Sequence, residues 1–420
     1  MNEPGWRRWA AANRIEIGLF LVTFCAYAVS SGEMSGRQSQ APHFVYQADA
    51  FLRGQLHVRS LPPIINDWVR IDDRWYVSFP PFPAVLMVPF VALAGLLFND
   101  VLFTIFFGAL NVPLLYRLLR RLAEGGEEGE PPGRPAFEHA ALALAFAFGT
   151  IAWYCAIRGE VWFTAETIGV TLTLLYLHSA LRARHPVLAG TFVALAAITR
   201  TPLAFSAVFF VFEALFDGRR VSWSELRSVL GDGERRSVAV KKLLLFALPI
   251  ALVAAPAAAM NWARYGKLTE FGHSHLYANR VNPQIQKYGL FHYAFLERNL
   301  HAAFTRLPVI QLNPLRVGFD GEGMSLLVTS PVFALLLWPR LRPRLHGGLW
   351  LTTAAVAVPG FFYQNSGWYQ FGFRFSLDYT PYLIALLSIG RRPFTRGFWA
   401  LLLLGMAVNA WGAAVFNRPR

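Results

Sequence analysis

Apolar runs of roughly helix length recur along this chain from Ile15 to Phe416, separated by polar segments that are mostly short. The runs are continuous rather than alternating, so the pattern predicts helices, not a barrel. Successive runs cover 15–31, 101–119, 139–157, 161–181, 187–198, 203–216, 243–260, 326–338, 349–363, 377–389 and 398–416. These predict an all-α polytopic membrane protein of about 11 transmembrane helices, 1–420 forming a single integral-membrane domain. The segment 82–98 is apolar but broken by Pro83 and Pro89, and only Asn99-Asp100 separates it from the next run. It reads as a re-entrant or interfacial element.

Charge then orients the spans. Arg and Lys gather in 120–138, in 217–242 and at Arg340, Arg342, Arg391 and Arg392, which the positive-inside rule places in the cytoplasm. Residues 33–100, 261–325 and 364–376 become outer loops, with the tight turns at Arg158-Gly159-Glu160 and Arg200-Thr201-Pro202 on the same side. The basic start before Ile15 fits an uncleaved first helix; a cleaved signal peptide leaves the first loop outside as well. The net charge of +14 follows from this distribution, so nucleic acid is not an expected partner and membrane lipid is. Cys25 and Cys155 both lie in apolar runs and offer no disulfide framework or metal spacing. No Walker, GxGxxG, HExxH or GxSxG motif is present, which argues against nucleotide-driven pumps, dinucleotide enzymes and a nucleotide cofactor.

Candidate chemistry concentrates in the first outer loop, which carries His43, Tyr46, Asp49, Asp67, Asp72, Asp73, Trp75 and Tyr76. On a helix, Tyr46, Asp49 and Arg53 share one face, and Asp49 could act as a general base; a solvated loop acid is the plain alternative. Glu160 follows directly on a span. It could hold a divalent cation together with Asp49, or simply pair with Arg158. Glu166, one helical turn further in, reads as a partner to that acid or as a membrane-buried structural acid. Arg200 and Arg374 are candidate phosphate binders; each could instead snorkel, and Arg374 could pair with Asp378. His273-Ser274-His275 could be a metal pair but reads better as solvated histidines. Trp75-Tyr76 and Trp368-Tyr369-Gln370 could stack on sugar rings or belong to interfacial aromatic belts.

Together these residues resemble the GT-C superfamily of integral-membrane glycosyltransferases, in particular bacterial members related to protein mannosyltransferases and aminoarabinose transferases. The resemblance rests on an acid-bearing first loop (Asp49), the run Pro80-Pro81-Phe82-Pro83, the stretch Gly108–Leu122, and the positions of Glu160 and Arg200. It departs in that Ala50 and Phe51, not a second acid, follow Asp49. The resemblance implies a GT-C-like fold that moves a sugar from a polyprenyl-phosphate-linked donor to a hydroxyl on an envelope glycan, lipid or protein. It places the active site on the outer (periplasmic) face of a bacterial-type inner membrane. It implies Asp49 and Glu160 as catalytic residues, with Tyr46, His43, Tyr76, Arg200 and Arg374 around the substrate, and a divalent cation (Mg or Mn) as a possible cofactor. A transporter or flippase of lipid-linked or anionic solutes, or a noncatalytic envelope scaffold, is the alternative.

Overall fold

The computed structural model of the chain describes residues 9, 11–124, 134–216, 219, 222–276 and 282–416. These form a helical bundle: α1 (Arg14–Ser31), α2 (His43–Leu52), α3 (Phe82–Ala94), α4 (Asp100–Glu124), α5 (Ala136–Gly149), α6 (Val161–Ala180) and α7 (Pro186–Ala197), followed by α8 (Ala207–Phe216), α9 (Trp223–Gly231), α10 (Gly233–Tyr265), α11 (Leu345–Phe361), α12 (Thr380–Ile389) and α13 (Arg396–Val415). Two antiparallel hairpins decorate it: β1 (Trp68–Ile71) with β2 (Arg74–Val77), and β3 (Val309–Leu312) with β4 (Leu315–Gly318). The second hairpin stands clear of the bundle, with Ile310, Leu312 and Leu315 all exposed.

Among the described residues four helices, Arg14–Gly36, Asp100–Ala123, Gly233–Tyr265 and Arg396–Val415, are long and apolar enough to cross a membrane. Most of the other apolar runs form shorter or broken helices, while 161–181 forms the 20-residue α6. The breaks have local causes. The run 139–157 stops at Thr150, whose backbone is extended, and resumes only as the short turn Ala152–Ala156. The run 326–338 forms one α-turn, Leu326–Thr329, before Pro331 starts a 3₁₀ segment; a proline has no N–H to continue the ladder. Residues 82–98 form α3 and a 3₁₀ turn, and the positive φ of Gly95 ends the α-helix. In the 217–242 loop, Ser222 caps α9 by accepting from the Glu225 N–H, and Asp232 caps α10.

Helix α6 is the hub. Nearly every residue from Val161 to Ala180 is buried, and α4, α7 and the loops at its N-terminus surround it. Next to it, α7 and α10 approach closely because Gly190 has no side chain. A Cβ there would lie 2.1 Å from the Phe246 carbonyl oxygen. Gly190→Ala is therefore expected to push α10 away and cost about 1–3 kcal/mol, the usual penalty of overpacking, read as a lower unfolding temperature of the purified protein.

Candidate active site

The hairpin β1–β2 places the first component. Ile71 pairs with Arg74, leaving Asp72-Asp73 as a two-residue turn with φ of 47° and 61°. Such turns need positive φ and match the strand twist. Its open end holds Asp67, itself at φ 62°. This is a conformation that Asp tolerates and most residues resist. The backbone there is fixed from two sides. Ser78 Oγ donates to the Asp67 carbonyl at 2.5 Å, and His43 Nε2 donates to the neighbouring Asn66 carbonyl at 2.7 Å. Trp68, fully buried, packs on His43 at 5.0 Å and on Tyr46 at 6.1 Å between ring centroids. The Asp67 carboxylate then receives the indole N–H of Trp162, from the first turn of α6, at 2.7 Å.

Asp67 forms part of the wall of a cavity of about 220 Å³. The other walls include Trp162, Arg200, Glu270, His273 and Tyr363, with Arg374 and Asp378 behind. The first loop, the turn at Arg200, the 261–325 loop and the 364–376 loop thus meet in one chamber at one end of the bundle.

Beneath the chamber lies a buried four-membered charge network. Glu166, one turn below Trp162 on α6, accepts from Arg374 Nη1 at 2.6 Å and lies 3.5 Å from Arg200 Nη1. Arg200 grips Asp378 through two bonds of 2.6 and 2.7 Å. Arg374 therefore pairs with Glu166, and Asp378 with Arg200, not Arg374 with Asp378 as local spacing suggested. The network is balanced in charge, which is the condition for burying ions at all. Gln370 fixes Arg374 further: its Oε1 accepts the Arg374 backbone N–H at 2.8 Å, while Arg374 Nε donates to the Gly367 carbonyl at 2.9 Å. Among the described residues Arg374 Nη2 has no hydrogen-bond acceptor, and the guanidinium borders the cavity.

Protonation states follow from the surroundings. Burial raises the Asp67 carboxyl above its ordinary value, against the lowering effects of the Trp162 bond and the Arg374 charge. Burial pushes His273 down to about 4, so its ring is neutral at physiological pH. His43 is lowered to about 4 for the same reason. Burial opposes ionisation of Glu270, but hydrogen bonds from Ser274 and the Gly272 N–H outweigh it and its carboxyl is lowered. His273 packs its edge on Phe79 at 5.4 Å and faces the chamber, unlike the solvated residue expected; only His275 is exposed, stacked on Tyr265.

The remaining candidates lie elsewhere. Asp49 sits on α2 with Arg53 on both its oxygens at 3.1 Å. Glu160 is clasped by Arg158 at 2.5 and 3.0 Å. Neither lines the chamber, and each acid is neutralised by its own arginine. No group of three or more His, Cys, Asp or Glu that could hold a metal occurs among the described residues. Tyr76 is buried against Tyr265, and Tyr46 and His43 support the hairpin rather than the chamber wall. Of the seven candidates, only Arg200 and Arg374 come together at the chamber. Asp67, which also borders the chamber, is not among those seven. The alternation Trp68-Val69-Arg70-Ile71 and Arg74-Trp75-Tyr76-Val77 around Asp72-Asp73 is a hairpin signal that points to its base.

No protein-family model and no curated protein sequence matches the chain. Among solved structures it is similar to ArnT from Cupriavidus metallidurans bound to undecaprenyl phosphate, with 15% identity and a TM-score of 0.51, covering 96% of this chain and 64% of that one. The apo state of the same protein gives 15% identity and a TM-score of 0.50 over the same shares. An oligosaccharyltransferase from Archaeoglobus fulgidus gives 12% identity and a TM-score of 0.47, covering 95% of this chain and 55% of that one. The chain thus spans less than two thirds of the length of these proteins. What the chain shares with ArnT at this identity is the fold.

Proposed function

We propose that this GT-C-fold protein is a membrane glycosyltransferase that moves a sugar from a polyprenyl-phosphate-linked donor to a hydroxyl acceptor. The reading places the reaction in the chamber between Asp67 and Arg374, on the outer face of a bacterial-type inner membrane. The observation that carries it is the meeting, in one cavity, of an acid with a raised pKa and two arginines locked by buried carboxylates.

The base assignment moves from Asp49 to Asp67, because Asp67 borders the chamber. In this reading the acceptor oxygen attacks the anomeric carbon as the bond from that carbon to the phosphate oxygen breaks. The leaving phosphate keeps the electron pair, and the hydroxyl proton passes to Asp67. Trp162 holds the carboxylate in place through its 2.7 Å bond. Arg374 Nη2 meets the growing charge on the leaving phosphate. Its orientation costs nothing at the moment of reaction because Glu166, Gln370 and Gly367 already fix it. Neutral His273 and anionic Glu270 offer hydrogen bonds to sugar hydroxyls.

The test is transfer by purified protein in lipid from a panel of radiolabelled polyprenyl-phosphate sugars. Sugar transfer by the parent is expected. Absence of transfer from every donor by folded protein, together with movement of lipid-linked solute across the bilayer, would replace the enzyme with a transporter.

A further inference from the structure

A second concave site lies at the far end of α12 from the chamber. Asp378 precedes that helix and Gly390 follows it, so about 15 Å of helix, ten residues at 1.5 Å each, separates the two. The site is a cleft of about 450 Å³ between the 3₁₀ segment Pro331–Leu337 and the start of α13. Arg340, Arg342 and Arg392 line it, with Trp338, Pro339 and Thr395.

Its walls are held by backbone bonds rather than by chance surface positions. The N–H groups of Arg340 and Leu341 both donate to the Gly390 carbonyl, at 2.9 and 3.0 Å. Arg392 Nη1 donates to the Trp338 carbonyl at 2.6 Å, which ties one wall to the other. Arg134, from the turn before α5, braces the outside through the carbonyls of Ser388 at 3.0 Å and Arg392 at 2.8 Å. Arg134 has its own carboxylate, Glu138. Arg340, Arg342 and Arg392 pair with no carboxylate among the described residues. This is the reverse of the chamber, where each arginine is matched by an acid. A preformed cleft with three uncompensated guanidinium groups suits a doubly coordinated phosphate oxygen pair. Trp338 is 63% exposed and Leu337 is 66% exposed beside the cleft. An amphipathic indole with an exposed aliphatic neighbour is the surface a lipid presents to at headgroup level.

We propose that this cleft binds the phosphate of an anionic membrane-lipid headgroup, at the end of α12 away from the chamber. The phosphate lies among Arg340, Arg342 and Arg392, and the acyl chains leave along Leu337 and Trp338. The site is independent of the proposed transfer reaction and of the residues that serve it.

The experiment is thermal unfolding of the full-length protein in a maltoside detergent, titrated with phosphatidylglycerol, phosphatidylcholine or inorganic phosphate. The parent is compared with Arg340→Gln/Arg342→Gln/Arg392→Gln and with a control of equal charge loss, Arg227→Gln/Arg236→Gln/Lys241→Gln. Phosphatidylglycerol is expected to raise the unfolding temperature of the parent and of the control, with at least tenfold weaker binding in the cleft variant. An equal response to phosphatidylcholine, or equal weakening in the control, would overturn the site in favour of diffuse surface charge. Inorganic phosphate acting as strongly as the lipid would overturn the lipid assignment. Should the triple variant not fold, Arg340→Lys/Arg342→Lys keeps the charge and removes the planar fork; it is expected to weaken binding, and unchanged affinity would likewise overturn the proposal.

Discussion

Asp67→Asn is expected to fold as the parent does and to lose about 10²–10⁴-fold in transfer rate, the usual contribution of a positioned base. Asp49→Asn, measured beside it, is expected to retain most activity, because its carboxylate serves Arg53 on α2. Asparagine keeps an oxygen for the Trp162 indole, so the chamber wall stays intact. The pH dependence separates chemistry from structure. Burial raises the Asp67 carboxyl, so it takes up a proton at a higher pH than a solvated acid. Parental transfer should therefore fall as pH drops through that raised value, and the acid limb should vanish in Asp67→Asn. The stability sign is the opposite. A folded-state carboxyl raised above its unfolded value costs stability once pH exceeds the unfolded value. Asp67→Asn should therefore leave the unfolding temperature unchanged or higher at neutral pH. Full activity in Asp67→Asn with loss in Asp49→Asn would return the base to α2.

How far the sequence led can be traced through these two acids. The apolar runs placed α1, α4, α6, α7 and α13 to within about five residues, because a continuous apolar stretch has few other uses, whereas α10 begins at Gly233, ahead of the run 243–260 and inside the segment read as a loop. The charge pattern grouped the loops that do converge on one chamber. The choice between Asp49 and Asp67 needed three dimensions. Asp49 shares a helical face with Tyr46 and Arg53 by spacing, which is visible in one dimension. Asp67 gains its place from a hairpin, a positive φ and an indole from α6, which is 95 residues away. Arg374 shows the same limit. Its neighbour at i+4 is Asp378, yet its partner is Glu166 at a separation of 208 residues. Short-range spacing offers a pairing, and long-range packing decides it.

Glu166→Gln is expected to give the largest loss of stability, about 3–5 kcal/mol, the range for breaking a buried ion pair from one side. Glu166 is fully buried and neutralises Arg374 at 2.6 Å, with Arg200 at 3.5 Å. With Gln in its place one guanidinium charge is left without compensation, since Asp378 is already committed to Arg200. The variant should unfold at markedly lower denaturant, and transfer should fall with it as Arg374 loses its fixed orientation. A double-mutant cycle distinguishes the pair from a general disturbance of α6. In Glu166→Gln/Arg374→Met the buried charge and its partner leave together, so much of the lost stability should return. Transfer should not return, because the guanidinium that faces the leaving phosphate is absent. Additive losses in the double variant would mean that the two residues act separately and that Arg374 is held from elsewhere. Recovery of stability without recovery of transfer would place Arg374 in the reaction and assign Glu166 the role of holding it there.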